Sequence, residues 1–377
     1  MDILLAGILS ITWKQGVMML IGAVLMYLGI KKDIEPTLLV PMGLGSILVN
    51  FPGSAMVSHF DESGALVGQE GILNTIFDAG IASELFPLLL FIGIGAMIDF
   101  GPLLQNPQML LFGAAAQFGI FFTLLVATLM GFSPEEAAAI GIIGAADGPS
   151  AIYVGERLAQ NLMGQITVVA YSYMALVPII QPAAIKLVTT KKERAIRMTY
   201  KSSNVSKTTK ILFPIIISIV AGFLSPASLP LVGFLMFGNL LRECGVLNRL
   251  SETAQNELVN IISILLGFTI SVKMQAEMFI TLNTALILIL GLVAFFMDTI
   301  GGVLFAKFLN LFRKEKLNPM IGAAGISAFP MAARVVQKLA TEEDKQNFVL
   351  NYAIGANVAG QIGSVIAAGM VLSYFGK

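Results

Sequence analysis

The sequence predicts an all-α integral membrane protein, with about ten to twelve hydrophobic segments in two inverted repeats whose broken helices meet at a midplane ion site. Three observations carry this. Of 377 residues, 56% are hydrophobic and only 12% charged, about half the charged share of a typical soluble domain. The apolar residues gather into long runs free of acid or base, more than one water-soluble core could hide. Several runs are interrupted by Gly and Pro around isolated polar residues. A soluble helical protein buried throughout is the competing account, and the length of the runs argues against it.

In chain order the hydrophobic windows are 16–30, 37–52, 85–99, 108–130, 137–157, 162–185, 211–224, 229–243, 257–274, 283–312, 319–338 and 348–374. Crossing about 30 Å of hydrocarbon takes about 20 helical residues. The short windows 37–52 and 229–243 are therefore read as re-entrant or tilted pieces. Residues 1–15 lack the basic n-region and cleavage site of a signal peptide and read as an amphipathic lead-in.

A weak internal repeat runs at a spacing of about 177 residues, as Ile143-Gly144-Ala145-Ala146 recurs as Ile321-Gly322-Ala323-Ala324. Leu88-Leu89 with Phe91 and Met97 recurs likewise as Leu265-Leu266 with Phe268 and Met274. The expected division is a first transmembrane repeat at 16–185, a linker at 186–210 and a second repeat at 211–377. The linker carries Lys186, Lys191, Lys192, Arg194, Arg197, Lys201, Lys207 and Lys210 against Glu193 alone, which places it in the cytoplasm. The turn after 108–130 is acidic (Glu135, Glu136), and its counterpart after 283–312 is basic (Arg313, Lys314, Lys316). Equivalent turns of opposite bias imply inverted repeats, the plan of many secondary transporters. The stretch 53–84 has acids but no Lys or Arg and is expected outside.

Several function classes fall away. Net charge is zero, and no basic or aromatic stripe points to nucleic acid. Cys244 is the only cysteine, so no intrachain disulfide forms. His59 is the only histidine, which removes His-rich metal sites and makes Ser/His or Cys/His catalysis a poor fit. Beside Asp61 and Glu62, it reads as a solvated loop residue.

Asp147, in Gly-Ala-Ala-Asp-Gly-Pro-Ser, is the first candidate functional residue. A carboxylate at the bilayer centre costs about 2.5–3.5 kcal/mol on insertion scales, so it needs a partner or a task. Gly148-Pro149 should interrupt the helix and free carbonyls beside it. A carboxylate, carbonyls and hydroxyls make an oxygen cage suited to a small hard cation; a structural cap on a broken helix is the plainer reading. In the second half Gly325 stands opposite Asp147. Nearby are Asn318 (cap or ligand), Ser327 (ligand, or bonded back to its own helix) and Arg334, which must pair, snorkel or reach an aqueous cavity. Asn357 offers an amide oxygen at a third break, in Gly-Ala-Asn-Val-Ala-Gly. Tyr173 has a hydroxyl fit for a proton relay or an interfacial belt. Asp99 reads as the end of a span. Asp298 reads as a second ion residue or an acid paired with Lys or Arg.

The strings ELFPLLLFIGIGAMIDFGPLL, IGIIGAADGPSAIY and NPMIGAAGISAFPMAARVVQK carry a family resemblance from about residue 16 to the C-terminus. They resemble the beta subunit of sodium-translocating biotin-dependent decarboxylases, a group acting on oxaloacetate, methylmalonyl-CoA, glutaconyl-CoA or malonate. The resemblance implies a multi-pass protein of the bacterial inner membrane that decarboxylates carboxybiotin, consumes a proton and exports sodium. Implied partners are biotin carrier and carboxyltransferase subunits, a small gamma/delta-type membrane subunit and further copies of the chain. It also implies roles: Asp147 as the main sodium and proton group with Tyr173, rather than Tyr171, beside it. Asn318, Gly322 and Asn357 join the metal set, Ser327 the catalytic set, and Arg334 holds the carboxybiotin carboxylate. The rival reading is a stand-alone sodium/proton antiporter or sodium-coupled anion transporter, to which composition, repeat and buried acid are equally suited. A plain membrane anchor for a soluble enzyme is the third.

Overall fold

The computed structural model describes residues 10–33, 35–60, 65–198 and 204–376. Residues 1–9 of the expected lead-in, Asp61 and Glu62 beside His59, and Lys201 of the linker lie outside the described residues.

The chain folds almost entirely into helices, and local sequence explains where they start. Helix α1 (Trp13–Lys32) opens on a Thr12–Gln15 capping box and closes with Lys31 and Lys32 in its last turn, where cations meet the negative end of the helix dipole. The expected lead-in residues 13–15 are its first turn. Helix α2 (Pro36–Val49) starts on proline, with Glu35 at its N-cap in the left-handed region (φ 37°). A two-stranded hairpin, His59–Phe60 with Leu66–Val67, interrupts the otherwise helical chain. His59 is exposed there, its Nε2 at 2.9 Å from the Ser54 carbonyl.

Then follow α3 (Ile72–Ala82) and α4 (Leu85–Met97), a pair bent by 57°, and α5 (Met109–Leu129). Two short helices come next: α6 (Pro134–Gly141), opened by a Ser133–Glu136 capping box, and α7 (Gly148–Leu158). The first half ends with α8 (Met163–Val188). The second half runs α9 (Lys207–Leu224), α10 (Leu229–Glu243), α11 (Asn248–Met274) and α12 (Leu282–Phe312). It ends with the short α13 (Met320–Ala323), α14 (Met331–Glu343) and α15 (Leu350–Phe375).

Among the described residues, six helices are long and apolar enough to span a membrane, or eight if two bent pairs, α3–α4 and the two parts of α8 (bent by 70°), each count as one span. The expected ten to twelve segments thus exceed the clear spans. The remainder are short or broken: α2, α10, and the pairs α6–α7 and α13–α14. The outermost helices present apolar side chains outward, as with Phe223 at 87% exposure, which lipid would cover.

Polar contacts sort into two ends. At one end Lys14 pairs with Glu277 at 2.7 Å, Arg157 with Glu84, and Asn161 donates to Glu136 at 2.9 Å. At the other, Arg194 pairs with Glu343 (2.7 Å), Arg197 with Asp344 (2.5 Å), Lys307 with Glu193 (3.0 Å) and Lys210 with Asp99 (3.4 Å). The described part of the basic linker lies at this second end. A basic end of this kind is the one that the positive-inside rule expects to face inward.

The halves interlock. Helix α5 packs on α15 while α12 packs on α8, and α4 packs on α10 while α11 packs on α2. Glycine permits the closest crossings: a Cβ on Gly302 would strike the backbone of Gly322, and one on Gly360 the backbone of Gly325.

Candidate functional site

Two helix interruptions face each other at the centre. In the first, a 3-10 turn over Ile142–Ala145 leads to Ala146 in the left-handed region (φ 56°) and Asp147 in extended backbone. Gly148-Pro149 then starts α7, proline being tolerated there because first-turn N–H groups have no helical partner. The second interruption lies between α13 and α14, over residues 324–330, and contains a cis Phe329–Pro330 bond.

Unwound backbone leaves carbonyls without helical partners, and buried carbonyls must find others. Ala145 supplies one, and Ser327 takes it: its Oγ donates to the Ala145 carbonyl at 2.5 Å and its backbone N–H at 3.2 Å. Helix α15 meets the second break from behind. Asn357 Nδ2 donates to the Ile326 carbonyl at 2.6 Å, and Gln361 Nε2 donates to the Ser327 carbonyl. One turn on, the Ser364 hydroxyl lies 3.4 Å from Asp147 Oδ2, which also accepts from Ser150 Oγ at 2.5 Å.

Asp147 is buried, at 4% exposure, and no ion pair with a Lys or Arg reaches it among the described residues. Its carboxylate borders a cavity of about 200 Å³ whose wall includes Gln361, Ser327, Tyr171 and Glu35. The cavity reaches Glu35 and Met97, close in sequence to Lys32 and Asp99. The polar oxygens around it include two with no hydrogen-bond partner among the described residues, Tyr171 Oη and Gln361 Oε1. Carboxylate, hydroxyl and amide oxygens surround Asp147, while basic groups do not. Such a set attracts a small hard cation and repels an anion.

The remaining sequence candidates divide. Ser327 lines the cavity, and Asn357 sits behind it on the Ile326 carbonyl. Tyr173 does not line it: its hydroxyl donates to the Leu288 carbonyl at 2.7 Å, and its ring packs near Phe295 and Gly291. Tyr171 occupies that place, its ring against Gly148. Residues two apart on a helix point roughly 200° apart at 3.6 residues per turn, so only one of the two can face Asp147.

Asn318 lies outside the cavity wall. Its Nδ2 donates to the Arg194 and Ile196 carbonyls at 2.8 and 2.9 Å, and its Oδ1 accepts from Met320 N–H at 3.1 Å, so it anchors the linker and caps α13. Gly322 is the crossing partner of Gly302 and offers no group to the cavity. Arg334 stands exposed on α14, its guanidinium without a described partner, outside the cavity wall. Asp99 ends its span, accepting from Gly101 N–H at 2.8 Å and pairing with Lys210. Asp298 is fully buried; one carboxylate oxygen accepts from Gly119 N–H, and the other has no partner. It pairs with no Lys or Arg among the described residues.

Sequence reasoning missed Gln361, Ser364 and Ser150. The signal was present: Asn357, Gln361 and Ser364 follow at spacings of four and three, one helical face of polar groups in an apolar segment.

A family model described as "Na+-transporting oxaloacetate decarboxylase beta subunit" matches residues 14–375. The chain belongs to this family. The methylmalonyl-CoA decarboxylase beta subunit of Propionigenium modestum is 49% identical over 385 residues, covering 98% of this chain and 97% of that one. The glutaconyl-CoA decarboxylase beta subunit of Acidaminococcus fermentans is 48% identical over 371 residues (98% and 96% covered). A probable oxaloacetate decarboxylase beta chain of Vibrio cholerae is 46% identical over 420 residues (98% and 97%). Relatives that differ in the acid they act on are thus similar to this beta subunit to almost the same degree. As a decarboxylase beta subunit it is a multi-pass membrane protein and one component of a multi-subunit enzyme.

Proposed function

We propose that this chain decarboxylates carboxybiotin at its inward face and couples that reaction to outward sodium transport, with Asp147 as the group that holds either sodium or a proton. One observation carries the reading: a buried carboxylate with no cationic partner among the described residues stands at a helix interruption beside a cavity lined by oxygen ligands. Family membership supplies the reaction class.

The chemistry is simple in its balance. Carboxybiotin loses carbon dioxide as its N–C bond breaks, and the electron pair left on the biotin nitrogen takes up one proton. Asp147 cannot hold sodium and that proton together. Sodium arriving from the inward cavity displaces the proton toward the reaction, and a proton arriving from outside releases sodium outward. Ser150 and Ser364 steady the carboxylate, and Gln361 Oε1, fixed by its bond to Ser327, offers a neutral oxygen to the metal. Arg334, exposed with an unused planar guanidinium, is suited to hold the carboxybiotin carboxylate.

The halves 16–185 and 211–377 are read as inverted repeats joined by the linker 186–210. The exchange of packing partners supports this: α5 on α15 repeats as α12 on α8, and α4 on α10 repeats as α11 on α2. Such halves give a midplane site two orientations for alternating access. The working assembly joins biotin carrier and carboxyltransferase subunits, a small gamma/delta-type subunit and further copies of the chain, in a bacterial inner membrane.

Reconstitution of the assembled complex in proteoliposomes tests this. Carbon dioxide release and uptake of labelled sodium should be tied to each other, with Asp147→Asn abolishing both. Acidification should raise the half-saturating sodium concentration. Carboxybiotin loss that proceeds without this chain would overturn the reading in favour of a stand-alone sodium/proton antiporter.

A further inference from the structure

The Asp147 cavity has a second carboxylate. Glu35, at the N-cap of α2, forms part of the same wall. N-cap side chains commonly accept a first-turn N–H, but the Glu35 carboxylate makes no cap bond and no ion pair among the described residues. Its backbone sits in the left-handed region at φ 37° and ψ 53°, an uncommon conformation for a residue with a side chain. Lys31, Lys32 and Asp33 precede it and are exposed. Tyr171 lines the same cavity as Asp147 and Glu35.

Two further groups point to a ligand. Tyr171 Oη and Gln361 Oε1 belong to side chains only 4% exposed, line the cavity, and have no hydrogen-bond partner among the described residues. A buried polar atom left unpaired is costly, and an ion or its water shell would satisfy these two. The rest of the wall is apolar, with Leu90, Ile94 and Met97, and holds no Lys or Arg.

Resting on the sodium-coupled reading above, we propose that Glu35 is a second cation-binding carboxylate, the loading position at the inward mouth of the Asp147 cavity. It takes a partly hydrated sodium ion, and Tyr171 Oη bridges that position to Asp147. An anion entering here would meet two carboxylates and no base. The carboxylate of carboxybiotin therefore reacts outside this cavity, and only cations and protons pass through it.

The test is the sodium dependence of the assembled complex, with sodium alone as the probe in direct binding of the labelled ion. Glu35→Gln should raise the half-saturating sodium concentration on the order of tenfold, the effect of removing one partly screened unit charge a few ångströms away. Its loss of turnover at saturating sodium should be smaller. Glu35→Asp, which keeps the charge on a shorter arm, should fall between the two. A sodium dependence of Glu35→Gln equal to the native one, or an equal loss of turnover at every sodium concentration, would overturn the proposal. If Glu35→Gln does not assemble, Glu35→Asp decides, and native sodium binding by it would count against the loading role. Asp147→Asn keeps the two readings apart: full sodium-coupled turnover in that variant would remove the transport reading itself, whatever Glu35 does.

Discussion

Ser327 is bonded twice to the carbonyl of Ala145, through its hydroxyl at 2.5 Å and its backbone N–H at 3.2 Å. The break of one half is thereby tied to the break of the other, two residues from Asp147. Ser327→Ala keeps the backbone bond and loses the hydroxyl one, at a cost of about 1 kcal/mol for one buried hydrogen bond. Folding should survive. Coupling should suffer more, because the carbonyl beside the cation site is then held by one bond instead of two. Sodium uptake per carbon dioxide released, measured in proteoliposomes, should fall in Ser327→Ala, and native coupling would show that the second bond has no functional weight.

Asp147→Asn removes the charge but keeps the shape and the Ser150 contact. An ionised carboxylate buried without a cationic partner destabilises the fold, so the amide variant should melt no lower than the native protein in sodium-free buffer. It should lose the stabilisation that sodium confers, since a ligand that binds only the folded state raises the melting temperature by mass action. Thermal melting with and without sodium checks this. A sodium-induced shift of native size in Asp147→Asn would place the ion elsewhere.

The helical membrane class and the break around Asp147 were legible because both are local. Gly148-Pro149 interrupts a helix wherever it occurs, and one acid among apolar residues is conspicuous. The stripe of Asn357, Gln361 and Ser364 is equally local, one polar face at spacings of four and three. Other features depend on contacts the chain makes far from itself. Gly322 resembles a freed backbone position until Gly302 is seen against it. Asn318 resembles a ligand until the carbonyls of Arg194 and Ile196 arrive from the linker. The choice between Tyr171 and Tyr173 turns on the rotation of α8, and nothing in the apolar pattern around the two residues specifies it.

Tyr171→Phe and Tyr173→Phe separate those two roles. Tyr171 Oη lines the cavity with no partner, whereas Tyr173 Oη spends its donor on the Leu288 carbonyl. Removing the first should raise the half-saturating sodium concentration without lowering stability, because no hydrogen bond is lost. Removing the second should cost about 0.5–1.5 kcal/mol of stability, the net worth of one hydrogen bond, with a smaller effect on sodium. Parallel melting and sodium-titration curves check the ranking, and the opposite order would return the functional role to Tyr173.

Asn318→Ala distinguishes an anchor from a ligand. The side chain makes three hydrogen bonds, and Asn347 Nδ2 reaches the same Arg194 and Ile196 carbonyls at 3.2 Å each. Because Asn347 keeps those carbonyls partly satisfied, the loss should be about 1–3 kcal/mol rather than three full bonds. The half-saturating sodium concentration should stay near native in the folded fraction. A raised value with unchanged melting would restore Asn318 to the metal set.

Arg334→Lys tests the anion side of the reaction. The guanidinium is exposed and outside the cavity wall, so its charge contributes little to sodium binding across the protein. Lysine keeps that charge and loses the planar fork that meets a carboxylate with two parallel bonds. Turnover at limiting carboxybiotin carrier should therefore fall, by roughly tenfold if one charge-assisted bond of about 1.5 kcal/mol is lost, while the sodium titration midpoint holds. Titrating the biotinylated carrier and sodium in turn separates these effects. A shifted sodium midpoint with native carrier dependence would move Arg334 from the carboxybiotin side to the ion path.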